Sequence, residues 1–237
     1  MTKVNSVITK HFIDSAYLEK IFKFQILQEK NARSGREMDI LIVHDGDDYL
    51  ELGKLQQQFE NDLQNGLENN VSFILLPPGS SEDRWHYYDS KGEQARSYLY
   101  FIYEELLPKL EEMFTIGRLG MLGDSLAGAV SFRIGLHDPG RWSHILLQSA
   151  AFSKDDVRFG EKLQHSLPWN LYQSVGTEED HFISPITNEQ LYILTRNRMI
   201  KESIQAKNHT YIENGHGHLW ECWRGSLSAA IKIFYLT

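Results

Sequence analysis

Four short apolar runs, "DILIVHDGDD", "VSFILLPPG", "GRLGMLGDS" and "SHILLQSAAF", set the limits on what this chain can fold into. Each is too brief for a helix and lacks polar alternation, which is how strands buried on both faces of a parallel sheet read. Helical spacing separates them. Leu52, Leu55, Phe59 and Leu63 recur on one face, with Asn65 and Gly66 placed to stop that helix. "EQARSYLYFIYEELLPKLEEMF" is a longer helical segment, in which Pro108 kinks the helix or starts its last turns, because an interior proline costs about 3 kcal/mol. "LAGAVSFRIGLH" is a helix that ends before "DPG". Further along come a strand in "WNLYQSVGTEED", a helical stretch near Asn188 to Lys207, a strand in "HTYIENGHGH" and a closing helix through "WECWRGSLSAAIKIFYL". Strands alternating with helices predict a mostly parallel sheet covered on both faces. Ahead of it, "KHFIDSAYL" and "KIFKFQILQ" alternate apolar and polar residues, which predicts an antiparallel pair at the sheet edge before the turn "NARSGREM".

No linker or charge block divides the 237 residues, and the expectation is one α/β domain over residues 1–237. A hydrophobic fraction of 41% supports a real core. The net charge of −8 leaves no broad basic surface for phosphate backbones, so nucleic acid is not an expected partner. No apolar run approaches a membrane span, and the N-terminal "MTKVNSVITKHFIDSAYLEK" has no apolar signal core, which makes a cytoplasmic location the expectation. Cys222 is the single cysteine, so no internal disulfide can form.

Chemistry enters with "GMLGDSLAGAV". Ser125 follows a predicted strand and precedes a helix rich in small residues, the setting of a nucleophile elbow, in which the residues two before and two after the serine must be small. Gly123 and Ala127 meet that need, although the pattern is GxSxA rather than GxSxG. A serine there can equally cap the helix. A nucleophilic serine needs a base to take its proton and a carboxylate to orient that base. Both types stand past later strands, in the chain order serine, acid, histidine: Glu178, Glu179 and Asp180 after "LYQSVG", then His216 and His218 after "YIEN". Taken singly, the acids read as a solvated turn and each histidine as an ordinary loop residue.

"HDGDDY", "QARSYLYFIYEELLPKLE", "GRLGMLGDSLAGAVSFRIGLHDPGRW", "ILLQSAAF", "VGTEED" and "GHLWECWRGSL" together resemble the putative esterase family of α/β-hydrolases. That group includes siderophore esterases, S-formylglutathione hydrolase, feruloyl esterases and mycolyltransferases. The resemblance implies the α/β-hydrolase fold and a serine hydrolase acting on carboxylic esters. It selects His218 as base, because the family histidine is followed by tryptophans two and five places on, as Trp220 and Trp223 are here. It selects Glu179 as acid, three residues after Gly176, with Asp180 as the alternative one residue along. The oxyanion hole is then expected from the N–H of Leu126, at the start of the helix after the nucleophile, and, by the family equivalent, from the N–H of Asp47. The side chain of Asp47 must point away from that hole.

"PPGSSEDRWHYYD" reads as a polar, aromatic loop at a strand end, with Arg84, Trp85 and Tyr88 as candidates for contact with the acyl or alcohol group, or simply as packing for the loop. Trp220 and Trp223 read as anchors for the last helix. "HDGDD" and "HGH" contain metal-ligating residue types but match no metal spacing, so no metal and no cofactor are expected. The expected partner is a small-molecule ester, with a homodimer left open. Rival readings are an acyltransferase or thioesterase on the same triad, or a catalytically silent hydrolase-like binding protein.

Overall fold

The computed structural model describes residues 6–32, 35–67, 70–186 and 188–236. Eight strands form a mixed sheet in the order β1-β2-β4-β3-β5-β6-β7-β8. By its internal contacts the chain divides into two compact units, Met1–Gly120 and Met121–Thr237.

The first unit begins with β1 (Ser6–Ser15) and β2 (Lys20–Glu29), paired antiparallel along their whole length. Arg33 and Ser34, in the predicted turn that follows, lie outside the described residues. Next come β3 (Met38–His44), α1 (Gly46–Glu51), α2 (Leu55–Gln64) and β4 (Val71–Leu76). β4 runs parallel to β3 and antiparallel to β2. Ile40 to Val43 and Phe73 to Leu76 are fully buried, as their continuous apolar runs require. α2 sets Leu55, Phe59 and Leu63 on that core, with the Phe59 ring edge-on to Phe73 at 5.1 Å. Leu52 does not join it. The left-handed backbone of Lys54 separates α1 from α2, and Leu52 at the end of α1 is 43% exposed.

The segment expected to be a loop contains a helix, α3 (Ser81–Tyr88). Its start is a reciprocal capping box: the Ser80 hydroxyl accepts from the Asp83 N–H and the Asp83 carboxylate accepts from the Ser80 N–H. The long helical segment is observed as α4 (Ala95–Tyr100), a π-helical turn over Phe101–Leu106 and α5 (Leu107–Met113). Pro108 cannot donate a backbone hydrogen bond, and the widened turn before it, with Leu107 N–H bonded to Ile102 O, lets the chain stay helical past it.

β5 (Ile116–Asp124) leads into the second unit. There follow α6 (Ser125–His137), β6 (His144–Gln148), α7 (Lys154–Lys162), β7 (Leu167–Gly176), α8 (Ile193–Ser203), β8 (Ala206–Asn214) and α9 (Trp220–Leu236). β6, β7 and β8 are parallel neighbours. β6 stops at Gln148, so "SAAF" is loop rather than strand. α7, with no apolar run in the sequence to announce it, also opens on a capping box, between Ser153 and Asp156. α6 is buried along most of its length, and α9 buries Trp223, Leu227, Ile231 and Phe234. Among the described residues no helix is long and apolar enough to cross a membrane.

Candidate active site

The bend after β5 is dictated by contact distances. A Cβ on Gly123 would lie 2.4 Å from the carbonyl oxygen of Ala127 and 2.8 Å from the nitrogen of Gly128, so only glycine allows α6 to turn back this closely. Ser125, between them, has φ of 46°, a left-handed conformation that costs a non-glycine residue about 1–2 kcal/mol. The N-cap position is Asp124, and α6 has no side-chain cap bond. Ser125 is half-buried, and its carbonyl accepts from the Ala151 N–H at 2.7 Å.

The Ser125 hydroxyl lies 2.8 Å from His218 Nε2, and His218 Nδ1 lies 2.9 Å from Glu179 Oε2. With a carboxylate at Nδ1 and a hydroxyl at Nε2, the consistent neutral tautomer carries its proton on Nδ1, leaving Nε2 to accept from the serine. The ring packs against Phe182 at 4.4 Å and edge-on against Trp223 at 4.8 Å. The side chains of His218 and Glu179 are only 4% and 1% exposed, so their mutual interaction is little screened by water.

Of the three acids after β7, one turns inward. Glu178 is exposed, Glu179 is buried, and Asp180 accepts hydrogen bonds from the N–H and hydroxyl of Thr195 in the first turn of α8. His216, the other candidate histidine, contributes backbone: its carbonyl accepts from the Glu178 N–H at 3.2 Å. A Cβ on Gly176 would lie 2.1 Å from that same carbonyl and 2.7 Å from Glu179 Oε1, which is why β7 must end in glycine.

Two side chains of this constellation, those of Phe182 and Ser149, do not stand out in the sequence. Phe182 packs on the histidine. The Gly176 N–H and the Ser149 hydroxyl both donate to Glu179 Oε1, at 2.9 and 2.7 Å. The Ser149 oxygen in turn accepts from the Trp223 indole N–H at 2.9 Å, so that tryptophan does more than anchor α9. Ser149 is 3% exposed and, like Ser125, left-handed, with φ of 49°. Its only signal in the chain is a hydroxyl among small residues at the end of an apolar run.

Comparison with known proteins places the chain. The Putative esterase family model matches residues 15–234. The chain belongs to this esterase family. The uncharacterized protein YjcH of Bacillus subtilis (strain 168) is 26% identical over 202 residues, which is 81% of this chain and 82% of that protein. The enterobactin esterase FES of Shigella flexneri superposes with a TM-score of 0.79 at 16% identity over 96% of this chain. This chain spans 59% of that longer one. A ferulic acid esterase superposes with a TM-score of 0.78 at 15% identity, covering 98% of both chains. The siderophore hydrolase EstA of Aspergillus nidulans gives a TM-score of 0.67 at 14% identity, over 96% of this chain and 93% of its own. At these identities the shared property is the fold, that of α/β-hydrolase-like esterases.

The other predicted site residues of this esterase-family chain are spread over both units. Leu126 is the second residue of α6, where a backbone N–H has no acceptor within its helix. Asp47 is the second residue of α1 in the first unit. Its carboxylate accepts from Gln25 Nε2 at 3.1 Å, and burial, then the neighbouring Glu51, pushes its carboxyl above the usual range. Arg84 on α3 is ion-paired with Asp45 at 2.7 Å and lies over the Tyr88 ring. Trp85 is half-buried and Tyr88 fully buried, its ring among those of His44 and Tyr98. Among the described residues no group of three or more histidine, cysteine, aspartate or glutamate side chains could hold a metal ion.

Proposed function

We propose that this protein is a serine carboxylesterase that hydrolyses a small-molecule ester through an acyl-enzyme intermediate. The observation that carries the reading is the unbroken hydrogen-bonded chain from Ser125 Oγ through both nitrogens of His218 to Glu179. Membership of the esterase family, and the esterase and siderophore hydrolase names of the similar structures, support ester cleavage as the reaction class.

In this mechanism Ser125 Oγ attacks the ester carbonyl carbon as its proton passes to His218 Nε2. Glu179 stays ionised and stabilises the imidazolium through Nδ1. The tetrahedral oxyanion takes a hydrogen bond from the backbone N–H of Leu126, the second residue of α6. The carbon–oxygen bond to the leaving group breaks, and His218 gives its proton to the departing alkoxide. Water, deprotonated by the same histidine, then attacks the acyl-enzyme carbonyl; the bond to Ser125 Oγ breaks as His218 returns the proton to that oxygen, releasing the acid and free Ser125.

Replacing Ser125 by alanine removes the nucleophile and one hydroxyl from a half-buried position, a change the fold tolerates. Hydrolysis of a small activated aryl ester is expected to fall by at least about 10³-fold, with an unchanged circular dichroism spectrum and no labelling by a fluorophosphonate. Wild-type turnover in that variant overturns the reading.

A further inference from the structure

Ser149 sits where a glycine would be more comfortable, since its φ of 49° falls in the left-handed region. Its hydroxyl is what a glycine would lack, and both sides of that hydroxyl are occupied. A hydroxyl offers one proton and two lone pairs. The Trp223 indole N–H fills a lone pair at 2.9 Å, and the proton is directed to Glu179 Oε1 at 2.7 Å. The carboxylate it meets is 1% exposed, and a polar group buried that deeply is costly unless it is hydrogen-bonded. With Oε1 taking donors from Ser149 and Gly176, Oε2 is the oxygen turned to His218.

From this geometry we infer that Ser149 is a positioning residue for the acid of the triad, and that Trp223 acts through it by setting the direction of the Ser149 hydroxyl. The inference rests on the esterase reading given above. Anchoring of α9 does not account for the Trp223–Ser149 bond. Gln148, the preceding residue, already ties α9 down by donating to the Trp223 carbonyl at 2.7 Å and to the Ser226 hydroxyl at 2.6 Å. Two consecutive residues thus hold Trp223 at different points: Gln148 fixes its backbone, and Ser149 reads its ring N–H. The path from indole to nucleophile is continuous, running Trp223 Nε1, Ser149 Oγ, Glu179, His218 and Ser125 Oγ.

The test uses the full chain with Ser149→Gly, Ser149→Ala, Trp223→Phe and the double variant Ser149→Ala/Trp223→Phe. Readouts are kcat/KM on a small activated ester, the rate of Ser125 labelling by a fluorophosphonate, and Tm. Glycine relieves the left-handed strain and alanine keeps it, so the two Ser149 variants should melt at different temperatures yet lose kcat/KM and labelling rate alike. A loss of about 10- to 100-fold is expected, the scale on which removing a partner that orients a functional group acts. Phenylalanine keeps the aromatic packing on His218 and removes only the N–H, so a smaller loss is expected for Trp223→Phe. In the Ser149→Ala background that substitution should add nothing, because its effect passes through the hydroxyl. Wild-type activity in Ser149→Gly, activity that follows Tm across the Ser149 pair, or additive losses in the double variant each overturn the inference. Such results alongside an inactive Ser125→Ala leave the esterase reading standing, whereas an active Ser125→Ala removes that reading itself.

Discussion

His44 in the first unit and His218 in the second are both shielded from water, yet they are prepared for opposite ends. His44 closes β3, is fully buried, and has the Tyr88 ring edge-on at 5.5 Å and the Tyr98 ring at 5.8 Å. Burial pushes its imidazole down to about 3, so it stays neutral across the physiological range. Those two tyrosines are pushed up by burial and held neutral as well. His218 is nearly as shielded but has a carboxylate on one nitrogen and a serine hydroxyl on the other. A search for perturbed titratable groups alone would choose His44. Hydrogen-bond connection chooses His218: burial by itself silences a histidine, whereas His218 is held between a carboxylate and a serine hydroxyl.

The largest effect that can break this contrast is at Glu179. Glu179→Gln keeps the shape and removes the charge, and a fall in kcat/KM of about 10²–10⁴-fold is expected. Asp180→Asn should leave kcat/KM near wild type and, by the loss of a helix-start interaction, lower the unfolding free energy by about 1 kcal/mol, read by denaturant titration. Reversed outcomes would hand the acid role to Asp180. A smaller effect is expected from Gly176→Ala, whose added methyl meets the His216 carbonyl and Glu179 Oε1. Overpacking of this kind costs about 1–3 kcal/mol, and here it falls on the loop that carries His218, so chemical denaturation and turnover should both report it.

The gentlest test concerns His44 and is one of slope. Its folded-state value of about 3 lies below the unfolded value near 6.5, so the unfolded chain takes up a proton that the folded one refuses. Its contribution to stability is therefore intact above about pH 6.5 and is lost as pH falls toward 3, by up to about 1.4 kcal/mol per pH unit. His44→Phe should flatten that part of the stability–pH curve, measured by denaturant titration, without changing turnover at neutral pH. An unaltered slope would show that the burial of His44 is not what makes the fold acid-sensitive.

Much of this architecture was legible in the chain because its signals are local. Continuous apolar runs marked β3, β4, β5 and β6, and alternation marked the β1–β2 pair. Three short helices were missed, α1, α3 and α7; α3 and α7 announce themselves only by the spacing of Ser80 with Asp83 and Ser153 with Asp156. In the site, Ser125, Glu179 and His218 could be named from motif and resemblance, and the structure brings those three side chains together.

What the sequence by itself determined was the succession of strands and the need for a small residue at Gly123, whose neighbour Ala127 is four residues on, since strand burial, helix periodicity and backbone sterics act between near neighbours. Which carboxylate turns inward, and that Ser149 and Trp223 hold it, was decided only by tertiary structure. Ser149, Glu179, His218 and Trp223 lie on separate segments that meet at the ends of β6 and β7. The direction of a hydroxyl or a carboxylate oxygen is set by whichever donors arrive there, and no local pattern in the chain encodes that arrival.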